Sequence, residues 1–119
     1  MFGGSGMARD LSFWKENESP EMKASDVYKV LLGGKKLDFV CELPTEQILS
    51  DVKKEFSDWN QIDAYNYEKD DAAIEIFAND QIFRFDCYSV SEADMNKIID
   101  IMLSYECPLY DSAIDVRFC

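Results

Sequence analysis

The chain contains no histidine among its 119 residues, and this absence removes several classes of catalytic site. A serine or cysteine nucleophile activated by an imidazole is excluded, and so are the zinc sites that use an imidazole ligand. Four cysteines are present without the C-x-x-C spacing of a metal or redox motif: Cys41, Cys87, Cys107 and Cys119. We therefore expect no metal and no cofactor. Cys87 lies at an apolar strand position and Cys107 at a helix end, so both are expected to be buried thiols.

Long apolar runs are also missing. No stretch approaches the length that spans a membrane, and the opening MFGGSGMARD lacks the apolar centre of a signal peptide. Together with cysteines expected to stay free, this favours a cytoplasmic protein with no membrane contact. Residues 1–8 are rich in glycine and predict a disordered leader or linker, after which residues 9–119 suffice for a single domain with one core.

Basic residues are scarce: the chain has 12 lysines and arginines and 24 acidic residues, which gives a formal net charge of −12. Such a negative field repels nucleic-acid backbones, so DNA and RNA binding are not expected. The same field would speed the encounter with a basic protein partner, although it also serves solubility alone. Apolar residues make up 47% of the chain, which predicts a folded globule.

Apolar residues at helical spacing predict three helices, over residues 25–32, 44–59 and 91–106. Gly33-Gly34 stops the first helix, and Pro44 suits the first turn of the second. Ser91 begins an S-x-x-D cap for the third, which ends before Cys107-Pro108 because the residue preceding a proline disfavours helical geometry. The polar stretch over residues 60–71 lacks the residue order of a calcium loop, so a solvated acidic loop is favoured there.

Alternating apolar residues predict strands over residues 10–15, 73–78, 81–90 and 108–114. Asn79-Asp80 is a pair suited to a tight hairpin turn between the second and third strands. A two-residue turn there would place Ile76 opposite Phe83 and Glu75 opposite Arg84. Apolar residues then meet each other and opposite charges meet, which supports that register.

These elements predict an α+β domain: a ferredoxin-like β-α-β-β-α-β sandwich, with a four-stranded antiparallel sheet, helices on one face and one extra short helix. The other sheet face is expected to stay open. Aromatic residues with a few charges on such a face indicate a partner-binding surface, here Trp14, Glu75, Phe77, Ile82, Arg84, Asp86 and Tyr88. The alternative is that the extra helix or the 60–71 loop covers them.

Three segments resemble a broad group of small bacterial proteins that begin D-L-x-x-W and finish with a C/L-x-Y-D-P-Q-like strand. They are DLSFW at residues 10–14, ELPTEQIL with EFSDW within residues 42–59, and CPLYDS at residues 107–112. Asp111-Ser112 stands where the group often has D-P-Q. Some members look like immunity proteins encoded beside secreted toxins. The resemblance implies a protein that blocks a toxin by contact, and it assigns no functional residues.

Three functions follow from the sequence. The favoured one is a cytoplasmic binding protein that neutralises a basic toxin through the open face. The second is a small enzyme or ligand-binding domain that uses carboxylates on that face, with Asp86 beside Tyr88 as the pairing to test. The third is a structural homodimer that pairs its open sheets. An enzyme is the less favoured reading, since no catalytic motif is present.

Overall fold

A seven-stranded antiparallel sheet runs through the computed structural model, which describes residues 8–118. Its strands are β1 (Ala8–Phe13), β2 (Asn60–Asp63), β3 (Asn66–Lys69), β4 (Ala72–Ala78), β5 (Phe83–Tyr88), β6 (Leu109–Asp111) and β7 (Val116–Arg117). The helices are α1 (Ala24–Leu32), α2 (Thr45–Glu55) and α3 (Glu92–Ser104). Across the sheet the strands follow the order β2-β3-β4-β5-β1-β6-β7. Except for Ala8, the leader predicted over residues 1–8 lies outside the described residues, as does Cys119.

The mixed α+β class is confirmed, but the four-stranded ferredoxin-like sandwich is wrong, because three further strands extend the sheet. Two of them form a hairpin inside the stretch predicted as a polar loop. Tyr67 of β3 is buried opposite Ile74 of β4, while the Asp63 carboxylate accepts a hydrogen bond from the Tyr65 N–H at 2.8 Å. The polar composition of residues 60–71 did not indicate this hairpin, because β3 buries a single large side chain and β2 is exposed throughout.

The third additional strand lies at the opposite end of the sheet. After β6, the Asp111 carboxylate accepts a hydrogen bond from the Ala113 N–H at 3.0 Å, and Asp115 adopts a left-handed φ of 52°. The chain therefore reverses, and the Phe118 N–H donates to the Leu109 carbonyl at 2.8 Å. The segment predicted as the last strand is thus followed by β7, which forms the edge.

Helices α2 and α3 pack on one face of the sheet, which we call the helix face. Alternation in the strands and helical spacing predict that Leu11, Phe13, Ile74, Ile76, Phe83 and Phe85 pack beneath Ile48, Val52, Phe56, Ile98, Ile99 and Met102. All of them are buried there except Ile99, which is partly buried against the same cluster. Cys87 and Cys107 are buried in the same cluster, as predicted. Each large apolar side chain buried in this way contributes about 1.5–3 kcal/mol to the free energy of unfolding.

The predicted helix boundaries are largely correct. The Ser91 hydroxyl accepts a hydrogen bond from the Asp94 N–H at 3.1 Å, so the predicted cap of α3 is confirmed. Helix α1 ends at Leu32, and Gly34 takes the left-handed φ of 84° that glycine tolerates. Helix α2 ends at Glu55, four residues before the predicted end at Trp59.

Strands β4 and β5 pair as predicted, but in a different register. Ile76 lies opposite Phe85, and Glu75 lies opposite Asp86 where Arg84 was expected. The reason is the turn, because the Asn79 N–H donates to the Ile82 carbonyl at 3.1 Å. The turn therefore centres one residue later than predicted, which moves each pair by two positions and leaves every side chain on its predicted face.

Candidate partner-binding surface

Helix α1 crosses the sheet face opposite α2 and α3 and covers part of it. Val27 and Leu31 of α1 are buried against Trp14, Ile82 and Tyr110 in a second apolar cluster. The expectation that this face stays open is therefore wrong for this part, and the alternative of cover by the extra helix is correct there. Trp14 and Ile82 are fully buried, so they are not accessible to a partner.

The segment after α1 is held over the same part of the sheet by Gln81. Its side-chain amide donates to the carbonyls of Leu37 at 2.9 Å and Val40 at 2.8 Å, and its oxygen accepts from the Leu37 N–H at 3.0 Å. Since Gln81 is itself buried, these three bonds replace the water that its amide loses. They fix the segment over the sheet.

The remainder of this face carries the other sequence-predicted residues, of which Glu75, Phe77 and Tyr88 are exposed and Arg84 and Asp86 are partly buried. The register places Phe77 opposite Arg84, Glu75 opposite Asp86 and Ala73 opposite Tyr88, so their side chains share one face. Phe77 and Tyr88 are exposed to 37% and 36%, values high for aromatic rings in a folded domain. We call this surface the acidic aromatic patch and define it as Asp10, Glu75, Phe77, Arg84, Asp86 and Tyr88.

Asp10 also belongs to this patch, although it is not among the residues predicted from the sequence. It lies opposite Asp86, which lies in turn opposite Glu75, so one row across three strands holds three carboxylates. The alternation of β1 contains the signal that identifies Asp10, because Asp10 precedes Ser12 and Trp14 at two-residue intervals.

Arg84 supplies the positive charge within the patch. Its Nε lies 3.0 Å from Asp86 Oδ1, and its Nη2 donates to Asp86 Oδ2 at 3.3 Å. The guanidinium carbon also lies 5.6 Å from the centre of the Phe77 ring, within range of a cation–π interaction. Arg84 thus contacts both Asp86 and Phe77 and helps to fix their positions. The patch keeps a net negative charge, because its carboxylates outnumber this guanidinium.

The local environment raises the pKa of three groups in the patch: Arg84, Asp86 and Tyr88. Burial raises the pKa of the Asp86 carboxyl, with a further contribution from Asp10 and an opposing one from Arg84. The negative charge of Glu75 is the main reason that the pKa of Tyr88 is raised. The Tyr88 hydroxyl stays protonated at neutral pH and donates to Glu75 Oε1 at 3.4 Å. The patch therefore offers aromatic rings beside an excess of negative charge.

The chemistry expected of an enzyme finds less support in this arrangement. The Tyr88 hydroxyl contacts Glu75 and not Asp86, the partner considered for it. Burial raises the pKa of Cys87 to about 12 and that of Cys107 to about 11, which disfavours the reactive thiolate form. Within residues 8–118, no three cysteine or carboxylate side chains are grouped so that they could hold a metal ion.

Comparison with known proteins gives no match from which a function could be inferred. No protein-family model matches the chain, and neither a curated protein nor a solved structure matches it. The resemblance to small immunity-like bacterial proteins therefore stays a prediction. None of the helices between Ala8 and Phe118 has the length and apolar character needed to cross a membrane.

Proposed function

We propose that this protein is a small acidic binding protein that neutralises a basic protein toxin by direct contact, and that the acidic aromatic patch makes the contact. The observation that carries the proposal is the exposure of Phe77 and Tyr88 beside Glu75 and Asp86 on an uncovered sheet surface. Exposed aromatic side chains anchor protein interfaces, because they bury a large area for few rotatable bonds.

The negative charge of the patch and of the whole chain favours a basic partner. The patch holds three carboxylates and one guanidinium, and the whole chain carries a formal charge of −12. A basic protein is steered toward such a surface, and its lysines and arginines would meet Asp10 and Glu75 while its apolar groups cover the rings. An acidic protein would be repelled by the same field.

The other functions considered from the sequence receive less support. Pairing of two open sheets is disfavoured, because α1 lies on this face and separates the sheets. Catalysis by carboxylates lacks an enclosed reaction site at the patch, since Phe77, Tyr88 and Glu75 are exposed.

The proposal is tested by capture from a native extract at low salt, with the immobilised protein as bait. The two variants to compare are Phe77→Lys and Ile62→Lys. Ile62 is exposed to 53% and lies on β2, outside the patch, so both variants change the net charge equally. We expect wild type and Ile62→Lys to retain the same basic protein, and Phe77→Lys to lose it.

Neutralisation is then tested by expressing the captured protein in a host cell. Expression should arrest growth, and coexpression of wild type should restore growth, whereas Phe77→Lys should not. Circular dichroism and thermal melting establish that the variant is folded. Retention of no basic protein by the wild type, or equal retention by both variants, would refute the proposed contact. Captured protein that is harmless to the host would refute the toxin assignment alone.

A further inference from the structure

Three carboxyl groups of the acidic aromatic patch lie side by side on adjacent strands, and we call them the carboxylate row: Asp10, Asp86 and Glu75. Asp86 is the middle member, since it lies opposite Asp10 of β1 on one side and Glu75 of β4 on the other. Residues that lie opposite each other in antiparallel strands have Cβ atoms about 4.5–5.5 Å apart. Three full negative charges at this spacing repel one another, so the row favours the uptake of a proton.

Asp86 is the member of the row that takes up this proton most readily. Its side chain is exposed to only 18%, so water stabilises its charge less than it stabilises that of the exposed Glu75. Asp86 also shares a hydrogen bond with Asp10, and two carboxyl groups can share one only when one of them carries a proton. Burial, followed by Asp10, accordingly raises the pKa of Asp86.

Arg84 is the cation that faces Asp86, and it opposes this rise in the pKa. Its Nε lies 3.0 Å from Asp86 Oδ1, but the same guanidinium also lies over the Phe77 ring and hydrogen-bonds to Tyr28 of α1. Tyr88, the titratable neighbour of Asp86 on β5, stays protonated at neutral pH and brings no positive charge. Arg84 therefore balances part of the negative charge of the row, and lysines and arginines of a partner can balance the rest.

We propose that the carboxylate row makes partner binding depend on pH: in weakly acidic solution the free protein holds a proton between Asp10 and Asp86, and the basic partner displaces that proton to the solvent when it binds. This pH dependence rests on the proposed function, since the ligand is the basic protein assigned to the patch. A positive charge beside the row favours the ionised carboxylates, so the pKa of the pair is lower in the complex than in the free protein.

Linkage between proton release and binding determines the direction and size of the effect. Release of one proton makes the affinity rise with pH by at most about tenfold per pH unit. The rise extends from the pKa of the pair in the complex to its raised pKa in the free protein. Above that range the pair is ionised in both states, and below it the pair is protonated in both. The complex should therefore be tight at neutral pH and weaken on acidification.

Isothermal titration calorimetry with the captured basic protein tests the proton release, from about pH 4 to about pH 8, a range that covers carboxyl groups of ordinary and raised pKa. At each pH the binding enthalpy is measured in two buffers of different ionisation enthalpy, and the difference gives the number of protons released. Asp10→Asn is the test variant, because it removes one carboxyl group of the pair. Glu68→Gln is the matched control, since it removes the same charge on the same sheet face, opposite Ala73.

We expect wild type and Glu68→Gln to release about one proton in weakly acidic solution, and Asp10→Asn to release fewer. Titrating groups of the partner contribute equally to all three proteins, so the difference between the variants isolates the pair. Release of no proton by the wild type, or of equal numbers by the wild type and Asp10→Asn, would overturn the proposal. Either result leaves the loss of binding in Phe77→Lys untouched, so it is distinct from a failure of the proposed function.

The free protein offers a second measurement that needs no partner. In an NMR titration of the side-chain carboxyl carbons, Asp86 should titrate at higher pH in wild type and Glu68→Gln than in Asp10→Asn. Circular dichroism establishes that all three proteins are folded across the pH range. An Asp86 that titrates as an ordinary aspartate in the wild type would overturn the proposal.

Discussion

Asp86 lies between Asp10 of β1 and Glu75 of β4, and like charges placed opposite each other in a sheet destabilise it. Because burial and Asp10 raise its pKa, the unfolded chain releases this proton at a lower pH than the folded chain does. The group therefore lowers the stability of the fold at pH values above its raised pKa. That loss disappears as the pH falls below the ordinary pKa of an aspartate.

Replacing Asp10→Asn should raise the free energy of unfolding at pH 7 by about 0.2–1 kcal/mol, because it removes one like charge and supplies an amide donor to Asp86. Urea denaturation measures the change, and the gain should vanish near pH 3. Glu68→Gln is the control, since Glu68 faces Ala73 and Asn60 and no other carboxylate. If Asp10→Asn is no more stable than Glu68→Gln at pH 7, the row of three carboxylates does not destabilise the sheet as proposed.

The buried thiols give a second prediction for single residues. Cys87 and Cys107 have pKa values raised to about 12 and about 11 by burial, whereas Cys41 is partly exposed. At pH 8, iodoacetamide should therefore modify Cys41 faster than either buried thiol in the native protein, and all three alike after unfolding in urea. Peptide mass spectrometry reads out each position. Rapid native modification of Cys87 or Cys107 would show that the core opens readily.

Among the secondary-structure elements, the β4–β5 hairpin shows what a sequence pattern determines and what it leaves open. Alternation predicted the two strands and the face of every side chain, because both depend on a two-residue period. The register depended on the side chain of Asn79, whose Oδ1 accepts hydrogen bonds from Gln81 N–H at 2.9 Å and Ile82 N–H at 3.1 Å. A dipeptide suited to turns does not reveal at which of its residues the turn begins.

Replacing Asn79→Ala should lower the free energy of unfolding by about 1–3 kcal/mol, since the buried amides of the turn lose their acceptor. The Asn79 amide also donates to the Leu31 carbonyl at 2.9 Å, which ties the turn to α1. Asn79→Asp keeps the acceptor and loses this donor, so its stability should fall between those of wild type and Asn79→Ala. Chemical denaturation provides both values, and a neutral Asn79→Ala would contradict the role of the side chain.

Helix α1 is the element whose position the sequence could not supply. Its apolar stripe, with Val27 and Leu31, is evident from the spacing, but that spacing does not say which surface the stripe covers. The structure places it over Trp14 and Ile82, two residues predicted to lie on an open face. A short helix can pack on either face of a sheet. Contacts between residues distant in sequence determine which face it covers.

For the molecule as a whole, composition and periodicity predicted the α+β class and the core of the helix face, but not the number of strands. The strands that were missed are short or mostly polar, as with β2 and the two-residue β7. Much of the candidate surface was predictable, since Glu75, Phe77 and Tyr88 follow from the same alternation. That Asp10 belongs to this surface, and that Trp14 and Ile82 do not, could be seen only once the positions of the neighbouring elements were known.

The dissociation constant of the captured basic partner, measured by isothermal titration calorimetry for wild type, Phe77→Lys and Ile62→Lys, tests the binding role of the acidic aromatic patch most directly. We predict that Phe77→Lys weakens binding by at least about tenfold, or about 1.4 kcal/mol, and that Ile62→Lys weakens it by no more than about twofold. Added salt should weaken wild-type binding, because it screens the charges of the patch. Equal dissociation constants for the two variants would contradict the assignment of the acidic aromatic patch as the binding surface.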